Sequence, residues 1–234
     1  MDSGWKSPSS SASGVQSVLT AVESVVDFEK MNQDLRALTP AEVVEWGVKQ
    51  GVRPLVTTNF GPLESTLLHL CTSVVPSMPV VWCDSGYNTK ATYRHADALT
   101  KQLSLNLSVY LPRQSAAHWD ACEGGVPDMS DNKHERFTQL VKLEPFKRAL
   151  SEHQPDVWFT NIRKTQTAFR GTLDIVSDGG EGVIRVSPFF HWTDEELEAY
   201  LQKHALVSEG DYYDPTKVLE HRECGLHLRG ASDA

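Results

Sequence analysis

The side chain best suited to covalent chemistry near the end of the chain is Cys224, in the stretch "EHRECGLHLR" (residues 220–229). A cysteine attacks only as the thiolate, and neighbouring cations lower the pKa of a thiol. Two arginines and two histidines, among them Arg222 and His227, supply such neighbours, whereas two glutamates oppose them. The stretch predicts a nucleophilic thiol on a flexible chain end, which can reach a binding site and then a second partner.

The other three cysteines form no metal-binding pattern. Cys71, Cys83 and Cys122 show no CxxC motif, no adjacent pair and no metal-like spacing to histidines. Cys71 and Cys83 stand in apolar runs, which predicts buried side chains, and Cys122 is predicted to be a loop thiol. We therefore expect neither a zinc site nor an iron–sulfur cluster.

Three polar loops follow predicted strands. "TTNFGPLES" (57–65) can cradle a phosphate or sulfate, although the same residues also favour a helix cap. In "CDSGYNT" (83–89) a carboxylate can accept a hydrogen bond from ribose or adenine, and an Asx turn explains it equally well. "NIRKTQTAFR" (161–170) carries three cations, which suit a polyanion or simply a solvated loop. Together the three loops predict a nucleotide-like site.

A parallel sheet would bring these loops together. From about residue 50 the chain alternates β-rich and helical runs, which predicts βαβ units with ligands at the carboxyl ends of the strands. The predicted strands are "RPLVTT", "MPVVWCD", "NLSVYL", "DVWFT" and "GVIRVSPFF". The turn-rich region 112–132 is predicted to be a surface excursion.

Two helices carry sequence signals at their ends. "LTPAEVVEWGVKQG" begins with a capping box of Thr39 and Glu42 and ends at Gly51. "HWTDEELEAYLQKHAL" has the same box in Thr193 and Glu196. Further helices are predicted for 15–36, for two runs between the strands, "PLESTLLHLCTSV" and "NTKATYRHADALTKQL", and for "HERFTQLVKLEPFKRALSEH".

Composition sets the class of protein. The 234 residues are 40% hydrophobic and 23% charged, which fits one globular domain, and no apolar run approaches the ~20 residues of a membrane helix. We predict a disordered leader at 1–14, an α/β nucleotide-binding domain at 15–206 and a catalytic tail at 207–234 outside the sheet domain. Because no secretory signal is recognisable at the start, a cytoplasmic location is expected.

The net charge of −9 argues against broad binding of nucleic acid or anionic membranes, which require a positive surface field. Any anionic ligand must therefore meet a local basic pocket.

Several motifs from about residue 50 to 228 resemble the sulfonucleotide reductases of sulfate assimilation, in particular their PAPS-reducing branch. The motifs are "TTNFG", "WCDSGYNTKATYRHAD", "VKLEPFKRAL", "NIRKTQTAFR", "RVSPFFHWTDEELEAYLQKH" and "RECGLH". The resemblance implies a PP-loop, adenine nucleotide alpha hydrolase-like α/β fold. It also implies that Cys224 attacks the sulfur of 3′-phosphoadenylyl sulfate (PAPS), leaving an S-sulfocysteine and releasing adenosine 3′,5′-bisphosphate. Reduced thioredoxin or glutaredoxin then releases sulfite.

The resemblance also assigns roles to residues of this chain. Arg222 and His227 would accompany Cys224. The residues that would hold the phosphosulfate and ribose are Thr57, Thr58, Asn59, Phe60, Gly61 and Ser65. Those bordering the adenosine would be Asp84, Ser85 and Gly86, and those on the phosphates Arg163, Lys164 and Arg170.

Departures from the family pattern keep other functions open. Pro62 and Glu64 put a rigid turn and a negative charge beside the expected anion site, unless Glu64 faces away on its helix, and the segment before Cys224 is short. A cluster-free reductase preferring APS, or a nucleotide-binding PP-loop protein with a degenerate site, fits these features. A PP-loop ATP pyrophosphatase or adenylyltransferase would need an "SGGxDS"-type loop that "TTNFGPLES" lacks. The sequence leaves open whether the protein is a monomer or a homodimer.

The cysteine pattern predicts a colourless protein without bound iron. Related APS reductases hold a cluster through an adjacent cysteine pair before a "KVEP"-like segment and a later CxxC, and this chain reads "RFTQLVKLEP" with no cysteine. We expect anaerobically purified protein to contain iron well below one equivalent. Absorbance typical of iron–sulfur proteins in the visible spectrum would contradict this.

Overall fold

The computed structural model describes residues 27–216. Its centre is a six-stranded sheet with the strand order β3-β2-β1-β4-β6-β5. All neighbouring strands run parallel except β5, which is antiparallel to β6. The strands are β1 (Pro54–Thr58), β2 (Pro79–Cys83), β3 (Asn106–Tyr110), β4 (Val157–Phe159), β5 (Val176–Asp178) and β6 (Ile184–Val186). The sheet confirms the predicted single α/β domain with a mainly parallel sheet.

Eight α-helices accompany the strands in the described part of the chain. They are α1 (Phe28–Leu35), α2 (Pro40–Gln50), α3 (Glu64–Val74), α4 (Lys90–Leu103), α5 (Ala116–Glu123), α6 (His134–Thr138), α7 (Glu144–His153) and α8 (Asp194–Lys203). None of the helices within residues 27–216 has the length and apolar character needed to span a membrane.

The two predicted capping boxes are confirmed. In α2 the Glu42 carboxylate accepts the backbone N–H of Thr39 at 2.8 Å, and the Thr39 hydroxyl accepts that of Glu42 at 3.4 Å. Hydrogen bonds from Thr39 lower the pKa of Glu42. Thr193 and Glu196 make the same reciprocal pair at α8. Each box satisfies N–H groups that the first helical turn leaves without partners.

The main core lies between the sheet and the helices α2, α3 and α8. Val56 of β1, Val80 of β2 and Phe159 of β4 are fully buried there. Cys71 of α3 belongs to the same core, as predicted, and burial raises the pKa of its thiol. This packing holds the three central strands in fixed register, and therefore fixes where their carboxyl ends lie.

The structure corrects the prediction for residues 112–132. This region contains the helix α5, which begins after the cap residue Ser115. Trp119 of α5 is buried against Phe137 of α6, with ring centroids 5.2 Å apart. Cys122 therefore lies on a helix and is exposed, and is not a loop thiol. The burial of one tryptophan keeps this turn-rich stretch ordered.

The edge strand β5 was not predicted. The Asn32 side chain of α1 donates to the Val176 carbonyl at 2.9 Å and accepts the Val176 N–H at 2.8 Å. The Asn32 amide thus pairs with both the N–H and the carbonyl of Val176, as the backbone of a neighbouring strand would. Of the predicted helix 15–36, residues 27–36 are among those described, and Phe28–Leu35 form α1.

A carboxylate ties the start of β1 to the start of β4. Asp156 accepts the backbone N–H groups of Val52 and Arg53, each at 2.9 Å. A Cβ atom on Gly51 would lie 2.1 Å from this carboxylate, so glycine is required where α2 ends. Burial alone would raise the pKa of Asp156, but the two N–H groups and Arg53 lower it below its ordinary value of 3.8.

We predict that Asp156→Asn lowers the free energy of unfolding by about 1.5 to 3 kcal/mol at pH 7, because charge-assisted hydrogen bonds are lost. The folded-state pKa is depressed, so this contribution is present above the unfolded pKa and disappears as the pH falls through the folded value. Urea unfolding at pH 7 and near pH 3 should show the difference from wild type shrinking at the lower pH. Asp97→Asn, at an exposed pair with Lys101, should change stability by about 0.5 kcal/mol or less. An undiminished difference near pH 3 would contradict the assignment.

Candidate functional site

A cleft lies at the carboxyl ends of β1, β2 and β4, where the sequence predicts ligand binding. Its floor is formed by Thr57, Val81 and Trp158, one residue from each strand. The indole of Trp158 donates to the Thr57 hydroxyl at 2.9 Å, which links β4 to β1 at this edge. The remaining lining residues are Thr58, Asn59, Gly61, Pro62, Glu64, Cys83, Lys142, Phe146, Thr160, Asn161, Ile162, Gln166, Arg170 and Tyr212.

The first predicted loop borders the cleft with four of its six candidate residues. These are Thr57, Thr58, Asn59 and Gly61. The loop satisfies some of its own N–H groups, because the Thr58 hydroxyl accepts that of Phe60 at 3.0 Å and the Asn59 side chain accepts that of Gly61 at 2.8 Å. Side-chain hydroxyl and amide groups therefore contribute to the cleft surface here.

The other two candidates of this loop point elsewhere. Phe60 is fully buried, with a φ of 52°, and packs edge-on against Trp82 with ring centroids 5.0 Å apart. Ser65 is also buried, and its hydroxyl donates to the Val207 carbonyl at 2.6 Å. Phe60 fixes the shape of the loop, and Ser65 holds the start of the next segment.

The second predicted loop is an Asx turn, one of the two interpretations left open by the sequence. One oxygen of Asp84 accepts hydrogen bonds from the Gly86 N–H at 2.9 Å, the Asn88 amide at 2.7 Å and the Tyr93 hydroxyl at 2.9 Å. Burial and Asp84 raise the pKa of Tyr93 to about 12. Asp84, Ser85 and Gly86 are outside the cleft lining.

Cys83, predicted to be a buried structural residue, lines the cleft at the end of β2 and is only partly buried. Burial raises the pKa of its thiol to about 12, with Lys142 and Arg148 opposing the increase. At neutral pH this thiol is protonated, so it is not suited to act as a nucleophile.

The third predicted loop brings one of its three cations into the cleft. Arg170 is buried in the lining and donates to the side-chain amide oxygen of Gln166. Arg163 instead donates to Asp194 of α8 at 2.9 Å, and Lys164 is exposed. The three cations thus occupy different surroundings, although they stand within eight residues of sequence.

A further cation, Lys142, lines the cleft and was not among the predicted site residues. It lies in a π-helical turn, Gln139–Leu143, which separates α6 from α7 within residues 134–153, a stretch predicted from sequence to be one helix. Pro145 lacks the N–H that would continue normal α-helical bonding, and the Glu144 N–H bonds to Gln139, five residues back. The proline in the "VKLEP" motif is the sequence signal that could have predicted this interruption of the helix.

Glu64 also lines the cleft and does not turn away along α3. Among residues 27–216 the cleft therefore combines one carboxylate with two cations, Lys142 and Arg170. The same range contains no group of three or more His, Cys, Asp or Glu side chains placed to hold a metal ion.

The segment of residues 207–216, here called the strap, lies against the sheet domain. The Ser208 hydroxyl accepts the Leu63 N–H at 3.0 Å, and the Asp211 carbonyl accepts the Thr89 hydroxyl at 2.7 Å. The predicted domain boundary at 206 remains a prediction, but these first residues of the predicted tail pack on the domain and are not separate from it. Arg222, Cys224 and His227 are outside the described residues.

A mainly parallel α/β sheet with polar loops at its carboxyl edge is the arrangement in which open α/β proteins bind ligands. Among solved structures, a PAPS reductase from Candida auris has a TM-score of 0.67 and 23% identity, covering 77% of this chain and 86% of that chain. Candida glabrata FMN adenylyltransferase has a TM-score of 0.51 and 15% identity, covering 74% and 56%. At these identities the likeness concerns the fold.

Sequence comparison shows the family. Residues 53–209 match the phosphoadenosine phosphosulfate reductase domain. The phosphoadenosine 5′-phosphosulfate reductase of Xylella fastidiosa (strain 9a5c) is 34% identical, covering 90% of this chain and 98% of that protein. The enzyme of the same name from Xanthomonas campestris pv. campestris (strain B100) is 35% identical, covering 88% and 95%. The chain belongs to the PAPS reductase family, which confirms the resemblance to sulfonucleotide reductases.

We predict that Arg170→Ala weakens binding of adenosine 3′,5′-bisphosphate by roughly 10- to 100-fold, the effect of losing one charge-assisted contact. Titration calorimetry at fixed ionic strength measures the change. Lys164→Ala removes the same charge from an exposed position outside the cleft lining and should alter affinity by about twofold or less. Equal losses in both variants would mean that the cations act only through long-range charge.

Proposed function

We propose that this protein is an oxidoreductase that reduces PAPS to sulfite and adenosine 3′,5′-bisphosphate, with Cys224 as the nucleophile. One observation carries the proposal: the family match spans residues 53–209 and so includes the strand ends, Lys142 and Arg170 that form the cleft. The "RECGLH" stretch beyond this match supplies the thiol in the sequence.

The cleft is suited to bind the anionic groups of such a nucleotide. Arg170 presents a guanidinium group held by Gln166, and guanidinium groups pair with phosphate oxygens in a bidentate manner. Thr58 and Asn59 add a hydroxyl and an amide beside it. The proposed role of these residues is to bind and orient the phosphosulfate, since positioning contributes much of the rate when the leaving group is already good.

The first chemical step would be attack of the Cys224 thiolate on the sulfur of PAPS. A bond forms between Sγ of Cys224 and that sulfur while the sulfur–oxygen bond to the phosphate breaks. The electron pair of the broken bond stays on the departing adenosine 3′,5′-bisphosphate, and the sulfonate group stays on the enzyme. Covalent catalysis of this kind divides one difficult transfer into two easier steps.

The second step would require a dithiol donor such as reduced thioredoxin or glutaredoxin. A donor thiolate attacks Sγ of Cys224, and sulfite leaves with the electron pair of the sulfur–sulfur bond. The second donor thiol then resolves the mixed disulfide, which restores the Cys224 thiolate and leaves the donor as a disulfide. Because dithiol donors are kept reduced in the cytoplasm, we propose that compartment.

We predict that Cys224→Ser abolishes sulfite release from PAPS and reduced thioredoxin, while adenosine 3′,5′-bisphosphate still binds with wild-type affinity. The substitution removes the nucleophile and leaves the cleft residues unchanged. Cys122→Ser, at an exposed thiol on α5, is the matched control and should retain full activity. Sulfite formation by the Cys224→Ser variant at the wild-type rate would refute the mechanism.

The same assay distinguishes the two sulfonucleotides. PAPS should be reduced in preference to APS, and the rates at matched concentrations measure this. Mass spectrometry after incubation with PAPS alone should find an added SO3 group on the peptide containing Cys224, and its absence in an active enzyme would exclude the S-sulfocysteine intermediate.

A further inference from the structure

A buried ion pair connects the strap to the wall of the cleft. The Lys142 ammonium group pairs with Asp214, and their side chains are only 14% and 7% exposed. Lys142 also donates to the Thr216 hydroxyl at 3.2 Å. The second Asp214 oxygen accepts the Thr216 N–H at 3.0 Å and its hydroxyl at 2.7 Å. The end of the strap therefore folds around the cation.

This network meets the conditions under which a buried ion pair holds its position. Removing two charges from water is costly, and attraction between them compensates only when further hydrogen bonds satisfy both groups. Thr216 supplies such bonds to Lys142 and Asp214. Burial alone would raise the pKa of Asp214, but Lys142 and Thr216 lower it, so the carboxylate is charged at neutral pH.

The strap is held at its other end as well. The Ser208 hydroxyl accepts the backbone N–H of Leu63, in the first loop of the cleft. The Asp211 carbonyl accepts the hydroxyl groups of Thr89 and Thr92, at the start of α4, at 2.7 and 3.1 Å. The ion pair at Lys142 is the attachment on the side of the π-helical turn.

Tyr212 lies between these attachments and lines the cleft. Its ring would be 3.3 Å from a Cβ atom on Gly61, so the strap passes close above the first loop. The strap thus crosses the rim of the cleft, and it is fixed on both sides.

The position of Thr216 limits what the rest of the chain can reach. Cys224 follows Thr216 by eight residues, a length of chain that spans at most about 29 Å. We propose that the Lys142–Asp214 pair anchors the strap so that Cys224 can reach the cleft, which makes Asp214 a positioning residue for the attack on the substrate. This inference rests on the proposed function.

Asp214→Asn tests the anchor. The variant should lower kcat for sulfite formation by roughly 10- to 100-fold, the cost of misplacing a reacting group by about 1 Å. The KM for PAPS and the dissociation constant of adenosine 3′,5′-bisphosphate should stay within about threefold of wild type. Asp214→Glu, which keeps the charge, should recover part of kcat.

A second measurement follows the strap without relying on activity. Chymotrypsin cleavage after Tyr212 and Tyr213, quantified by mass spectrometry, should be about tenfold faster in Asp214→Asn, because local opening becomes easier. Asp211→Asn is the matched control: it makes the same charge change in the strap at an exposed side chain and keeps the carbonyl that binds Thr89 and Thr92. It should match wild type in both measurements.

Three results would contradict the proposed role of the Lys142–Asp214 pair. Tighter nucleotide binding in Asp214→Asn would show a carboxylate that competes with ligand anions for Lys142. An unchanged kcat, or equal effects in Asp214→Asn and Asp211→Asn, would show that the ion pair does not position Cys224. If Asp214→Asn does not fold, Thr216→Val removes the bridging hydroxyl and takes its place in both assays.

Failure of the proposed function would look different. A wild-type protein that neither binds adenosine 3′,5′-bisphosphate nor forms sulfite would refute the proposed reaction, and with it the role in positioning Cys224. The chymotrypsin comparison would still decide whether the ion pair holds the strap.

Discussion

The parallel alignment of β1, β2 and β4 is the constraint on which the site depends. Strands that run in one direction place their carboxyl ends at one edge of the sheet, and therefore bring together loops that are about a hundred residues apart in sequence. Buried side chains on both faces hold this alignment, and the Trp158 indole bonded to Thr57 fastens two of the strands at the edge itself. Each polar group of the cleft is positioned relative to this edge.

An acidic protein can still offer an anion a favourable site, because electrostatic interactions in a partly buried cleft are mainly local. The net charge is −9, yet Arg170 lines the cleft with its guanidinium group held by the side-chain amide oxygen of Gln166, whereas Lys142, which also lines the cleft, is paired with Asp214. Arg163 shows the alternative outcome, since its pairing with Asp194 makes it a link between a loop and α8. A cation therefore contributes to binding according to which acceptor already holds it, and sequence position alone does not reveal this.

The features predicted correctly from sequence were those decided by neighbouring residues. The capping boxes at Thr39 and Thr193 involve residues three apart, and the strand–helix alternation follows from local hydrophobic patterns. The errors arose where distant residues decide the outcome. The helix α5 depends on Trp119 packing against Phe137 in another element, and β5 depends on Asn32 of α1. Lys142 was missed for a similar reason, because its direction depends on a π-helical turn that hydrophobic periodicity does not show.

Glu64 places a carboxylate in the lining of the same cleft as Lys142 and Arg170. Interactions between charges are stronger in a partly buried cleft than in water, so the charge balance of this lining depends on all three side chains. Glu64 begins α3, and the next residue, Ser65, binds the carbonyl of Val207 at the start of the strap. One helical turn thus both lines the cleft at Glu64 and holds the strap at Ser65, so a change in this turn affects both the cleft surface and the attachment of the strap.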